Sequence, residues 1–140
     1  MGILGHVLTD TIVDGGSSVN VLPEETWKKL RQPTLWPPKF QLLTADQHDI
    51  KPLGIMMAQP VTIGTQSFLL DFVVILLKRK GYDAILGRGW LIQARVRHDW
   101  KKNTLSLESK GRRFVIDLHT QMVDEEALTS YSEEEEDEGR

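Results

Sequence analysis

An apolar, β-branched stretch that runs directly into Asp14-Gly15-Gly16-Ser17-Ser18 constrains this chain more than any other feature. In Ile12-Val13-Asp14-Gly15-Gly16-Ser17-Ser18-Val19-Asn20 a strand ends on one acid, and a glycine-serine turn holds that acid up. Gly15 and Gly16 free the backbone for positive φ or for close approach of another chain. Ser17 and Ser18 supply hydroxyl donors beside the carboxylate. The same residues also suit a plain β-turn in which Asp14 bonds only its own backbone, because Asp-Gly is among the commonest turn pairs.

Two later segments separate those readings. Tyr82-Asp83-Ala84-Ile85-Leu86-Gly87-Arg88-Gly89-Trp90-Leu91 joins a short apolar strand to a glycine-flanked arginine, and Leu43-Thr44-Ala45-Asp46-Gln47-His48-Asp49-Ile50-Lys51-Pro52-Leu53-Gly54 places a polar turn between extended stretches. With the Asp14 turn, Asn20 and the Pro-led Leu22-Pro23-Glu24-Glu25-Thr26-Trp27, this ordered set resembles the retropepsins, the aspartic proteases of retroviruses and long-terminal-repeat retrotransposons. It looks most like the retrotransposon branch of plant type, over roughly residues 3–118. The resemblance implies a mostly β, closed-barrel fold with one or two short helices. By the same resemblance Asp14 is the catalytic acid and Gly15, Gly16 and Ser17 its active-site turn. Thr44, Ala45, Asp46 and Gln47 would form a substrate-binding flap, with Gly87 and Arg88 as structural support behind the turn and Arg88 paired to a carboxylate.

The residues set out the elements themselves. Residues 7–13 form an apolar strand, and residues 23–31 a short helix with Pro23 first, Glu24 and Glu25 at its positive end and Lys28, Lys29 and Arg31 at its negative end. Trp27 and Leu30 then face inward. Strands are expected over 40–43, 50–58, 61–63 and 67–77, the last so continuously apolar that both faces should be covered. Residues 88–94 make one or two helical turns, and 96–100, 104–107 and 114–118 close the domain as short strands. Trp90 and Trp100 are expected in the core. No internal repeat is visible.

One domain is expected over 1–120, followed by an acidic tail or linker over 121–140 that should be disordered. Residues 124–140 hold nine acids and one base, leaving residues 1–123 with 16 bases against 11 acids. Those bases are scattered except at 78–80 and 110–113, each where a hairpin turn is expected, and no aromatic platform is interleaved, so no nucleic-acid partner is expected. With no cysteine, disulfides, zinc-thiolate sites and thiol catalysis are excluded. The four histidines lack metal-ligand spacing, Ser17 and Ser18 lie in no Gly-X-Ser-X-Gly elbow, and Gly87-Arg88-Gly89 has no Gly-Lys-Ser/Thr sequel. No metal or other cofactor is expected. No apolar run approaches the ~20 residues of a membrane span, and no signal-peptide pattern opens the chain, so an intracellular, cytoplasmic protein is expected.

Aspartic proteolysis needs two carboxylates sharing one proton, because like charges about 3 Å apart cannot both ionise. This chain has one Asp-Gly-Gly turn. The second acid must therefore come from an identical subunit across a two-fold axis, with a water between the two Asp14 side chains and a peptide or polyprotein as substrate. Such a pair titrates as a unit and gives a bell-shaped acidic profile. Where the family usually has Thr or Ser, whose hydroxyl bonds across the axis, this chain has Gly15. Two functions follow: a homodimeric aspartic endopeptidase that processes a retrotransposon polyprotein, or a catalytically silent retropepsin-like module kept for dimerisation or peptide binding.

Overall fold

The computed structural model describes residues 1–38, 50–77 and 81–118. The expected strand over 40–43, the flap residues Thr44, Ala45, Asp46 and Gln47, and the acidic tail lie outside the described residues.

Among the described residues, ten strands and two helices follow one another as β1 (Gly2–Ile3), β2 (His6–Val7), β3 (Thr11–Val13), β4 (Asn20–Pro23), α1 (Glu24–Lys29), β5 (Ile50–Ile63), β6 (Gln66–Leu77), β7 (Ala84–Leu86), α2 (Arg88–Gln93), β8 (Arg97–Asp99), β9 (Thr104–Ser109) and β10 (Arg112–Asp117). A seven-stranded sheet in the order β2-β1-β5-β6-β4-β7-β3 curls into a half-barrel, and β10-β9-β8 form a second, three-stranded sheet. The mostly β architecture with two short helices is the one expected.

Local chemistry explains most elements. Pro23 caps α1 with φ −64° rather than occupying its first turn, and the helix keeps its acids first and bases last, with Lys28 Nζ 3.8 Å from Glu24. Leu30 is buried and Trp27 packs partly against the core, with its indole N–H donating to Pro33 O at 2.9 Å. The β9–β10 turn falls on Lys110 and Gly111, both with positive φ.

Three strand expectations change. Residues 7–13 do not form one strand: the chain reverses at Leu4 and Gly5, both left-handed, so β2 pairs with β1 and leaves Val7 77% exposed, while β3 starts only at Thr11. The stretches expected over 50–58 and 61–63 are one bent strand, β5. Its pairing with β6 slips between Met56 and Gln59, where Ala58 takes φ +49° and its N–H donates to Asp71 Oδ1 at 2.6 Å. A carboxylate 13 residues away thus satisfies the bulge that would otherwise have been a turn. In β6 only Phe72, Val73, Val74 and Ile75 are covered on both faces, because Leu69 is 63% exposed.

The main core joins the sheets and helices around Leu22, Met56, Phe72, Leu86, Trp90 and Leu107, with Trp90 edge-on to Phe68 at 5.9 Å. Among the described residues no helix is long and apolar enough to cross a membrane. In contrast to Trp90, Trp100 stays at the surface and stacks on His98, ring centroids 3.8 Å apart.

Both ring nitrogens of His98 are shielded from solvent without a hydrogen-bond partner. Burial therefore pushes its imidazole below the usual histidine value of 6.5, and the neighbouring Asp99 carboxylate opposes this only in part. A histidine that the fold keeps neutral contributes stability that is complete above about 6.5 and declines as the pH falls below that value. Urea midpoints measured from about pH 7 to about pH 5 should fall for the native chain and fall less steeply for His98→Gln.

Candidate active site

Strand β7 is threaded between the two arms of the Asp14 loop. It runs parallel to β3, with Thr11 opposite Ala84, Ile12 opposite Ile85 and Val13 opposite Leu86. On its other edge Ile85 pairs antiparallel with Val21 of β4. The residues from Asp14 to Asn20 therefore form a wide loop around the end of β7, and hydrogen bonds close it at three points. Asp14 N–H donates to Leu86 O at 2.9 Å, Arg88 N–H to Ser17 O at 2.8 Å, and Gly87 N–H to Asn20 Oδ1 at 2.8 Å. Asn20 is buried and uses its other end as well, donating from Nδ2 to Asp71 O of β6 at 3.1 Å. One amide thus ties together the loop, the β7–α2 junction and the central strand.

Asp14 is partly buried at the start of this loop. Its Oδ1 accepts the Gly16 N–H at 2.8 Å, and its own carbonyl accepts the Ser17 N–H at 3.1 Å. Gly15 is buried and Gly16 exposed. Neither takes positive φ, so the turn does not use glycine's left-handed freedom. Ser17 donates its hydroxyl to Val19 O at 2.6 Å, whereas Ser18 is exposed.

The beginning of β7 is fastened separately. Asp83 Oδ2 accepts the Asp10 N–H at 3.2 Å, Asp83 N–H donates to Asp10 O at 2.8 Å, and the buried Thr26 hydroxyl donates to Asp83 O at 2.8 Å. Next to it, Tyr82 packs with Ile85 against Val21, Ile55, Val73 and Ile75, a second apolar cluster apart from the main core. Burial raises the Tyr82 hydroxyl above its usual value, and the negative charge of Asp14 raises it further. The acid therefore has an aromatic, apolar neighbour that the motif reading did not single out. Its only signal in the sequence is a Tyr-Asp pair directly ahead of an apolar triplet.

Of the expected site residues, Asp14, Gly15, Gly16, Ser17, Gly87 and Arg88 meet in this loop. Thr44, Ala45, Asp46 and Gln47 lie outside the described residues. Arg88 contributes through its backbone: its side chain is exposed at the head of α2 and has no carboxylate partner among the described residues. Beside the loop a cavity of about 340 Å³ opens between β4, β6 and α2, lined by Ser18, Asn20, Leu69, Asp71 and Gln93. No cluster of three or more metal-ligating side chains occurs among the described residues.

No protein-family model matches the chain, and no curated protein matches its sequence. Among solved structures it is similar to the retroviral protease-like domain of Ddi1 from Leishmania major, with a TM-score of 0.62 at 18% identity over 84% of this chain and 89% of that one. The fold is retropepsin-like.

Gly87 has an ordinary φ of −98°, so its requirement is one of space. A methyl there would lie 2.6 Å from Ser17 O and closer still to Val19 O. Gly87→Ala should cost about 1–3 kcal/mol, read as a lower urea midpoint at unchanged slope. Asn20→Ala leaves the buried Gly87 N–H and the Asp71 carbonyl without their partner, and should cost about 1–3 kcal/mol for each group that water does not reach.

Proposed function

We propose that this chain is an aspartic endopeptidase that works as a homodimer and processes a polyprotein of the long-terminal-repeat retrotransposon type. The observation that carries the reading is the single acid at the mouth of a clasped loop: Asp14 is fixed by Leu86 O through its own N–H and by Gly16 through Oδ1. A loop so restrained keeps its geometry when a second copy meets it, which a shared-proton carboxylate pair requires. In the dimer one Asp14 is ionised and draws a proton from the water between the pair, while its protonated counterpart donates to the scissile carbonyl oxygen. Water adds to the carbonyl carbon, and collapse of the tetrahedral adduct returns a proton to the leaving amine. The half-buried Tyr82 and Ile85, backed by the buried Val21, suit apolar substrate side chains on an extended backbone.

One observation favours the second reading, a silent dimerisation or peptide-binding module. Gly15 has no hydroxyl to bond across the two-fold axis, and the Ser17 hydroxyl is already engaged by Val19 O within its own protomer. The two copies then lose a hydrogen bond worth about 0.5–1.5 kcal/mol per subunit.

Cleavage of an apolar-rich peptide library in acidic buffer distinguishes the readings. Activity in the native chain that disappears in Asp14→Asn supports the enzyme, whereas equal traces in both support the silent module. Gly15→Thr should tighten the dimer by about 5- to 150-fold, the equivalent of two restored hydrogen bonds, as measured by sedimentation equilibrium.

A further inference from the structure

The three-stranded sheet and its turns carry a local excess of positive charge. Residues 94–118 contain seven Lys and Arg against three Asp and Glu. One of the acids is ion-paired and a second accepts a backbone N–H. Glu108 faces Arg95 at 3.5 Å and Arg113 at 3.7 Å, and Asp99 Oδ1 accepts the Lys102 N–H at 3.1 Å in the turn after β8. The third, Asp117, is exposed near the end of β10. Arg97, Lys101, Lys102, Lys110 and Arg112 are all exposed, and none has an ion-pair partner among the described residues.

An aromatic surface sits within this group. Trp100 stacks on His98 with planes 33° apart, yet remains 37% exposed. His98 also borders a cavity of about 340 Å³ whose lining includes Arg97, Asp99, Lys102, Thr104, Ser106 and Val115. Val115 is 69% exposed on the same sheet face, across β9 from Arg97. Cations beside an open indole and a recess with hydroxyl groups are the combination that single-stranded nucleic acid uses: phosphates neutralise the cations and a base lies on the ring.

We propose that this sheet binds single-stranded nucleic acid, with Arg97, Lys101 and Lys102 against the phosphates and Trp100 stacking on a base. The surface does not depend on Asp14 or on proteolysis. An acidic protein segment would engage the cations but would have no use for the stacking face, so the aromatic contribution separates the two partners.

The test is fluorescence anisotropy of a labelled oligothymidine of about 20 nucleotides with the full 140-residue chain over a range of salt concentrations. Saturable binding should weaken linearly in log affinity against log salt. Lys101→Ala with Lys102→Ala should lower that slope by about 1.4, at roughly 0.7 per phosphate contact. Trp100→Leu should weaken binding by about 5- to 150-fold at an unchanged slope, and Trp100→Phe should retain most of the affinity. Trp36→Leu, at a ring 54% exposed elsewhere on the domain, should bind as the native chain does. Asp14→Asn should also bind normally, which keeps this result independent of the proteolytic reading. The proposal is overturned if the full chain does not bind at low salt, or if the Trp100 variants bind as tightly as the native chain.

Discussion

The site depends on one piece of threading, the passage of β7 between β3 and β4. Without it the residues from Asp14 to Asn20 would be an ordinary hairpin turn; with it they become a wide loop that grips Leu86, Gly87 and Arg88. Asn20 makes the threading specific, because its one side-chain amide satisfies Gly87 N–H on one side and Asp71 O on the other. Buried polar groups are costly when unpaired, so a β7 displaced by one residue would leave the Gly87 N–H and Asn20 Oδ1 without each other. Gly87 supplies the space for this approach and Asn20 supplies its register.

Other parts of the fold act on the same loop at a distance. Asp83 and Thr26 fix where β7 begins, so its end arrives beside Asp14. Asp71 serves two strands, its carboxylate holding the β5 bulge at Ala58 and its carbonyl receiving Asn20. Tyr82 and the apolar cluster under it give the acid one half-buried aromatic neighbour, while Gly16 and Ser18 of the loop are exposed. The result is an acid held by backbone hydrogen bonds beside a partly apolar cluster.

Much of this was legible in the sequence wherever the signal was local. The Asp14 turn, the Pro23-led helix, the helix after Gly87 and the turns at Lys101-Lys102-Asn103 and Ser109-Lys110-Gly111 each carry their cause within a few residues. What escaped was determined by remote partners. The bulge at Ala58 exists because Asp71 reaches it, and the N-terminal reversal at Leu4-Gly5 because β5 offers β1 an edge. Neither partner is visible in a local apolar pattern. Trp100 escaped for a related reason: an aromatic residue closing a short strand reads as core, but β8 is an edge strand and the ring just beyond it stacks on His98 at the surface. The charge on the three-stranded sheet escaped because it is a local excess within residues 94–118, diluted when residues 1–123 are counted together.

The central claim is that two copies of this chain share one catalytic pair, each contributing Asp14. Mixing native protein with rising fractions of Asp14→Asn at constant total concentration tests it most directly, with peptide cleavage in acidic buffer as the readout. If only dimers with two native aspartates turn over, activity follows the square of the native fraction and falls to about a quarter in an equal mixture. A decline in simple proportion, to about a half, or cleavage that persists with the variant alone, would contradict it.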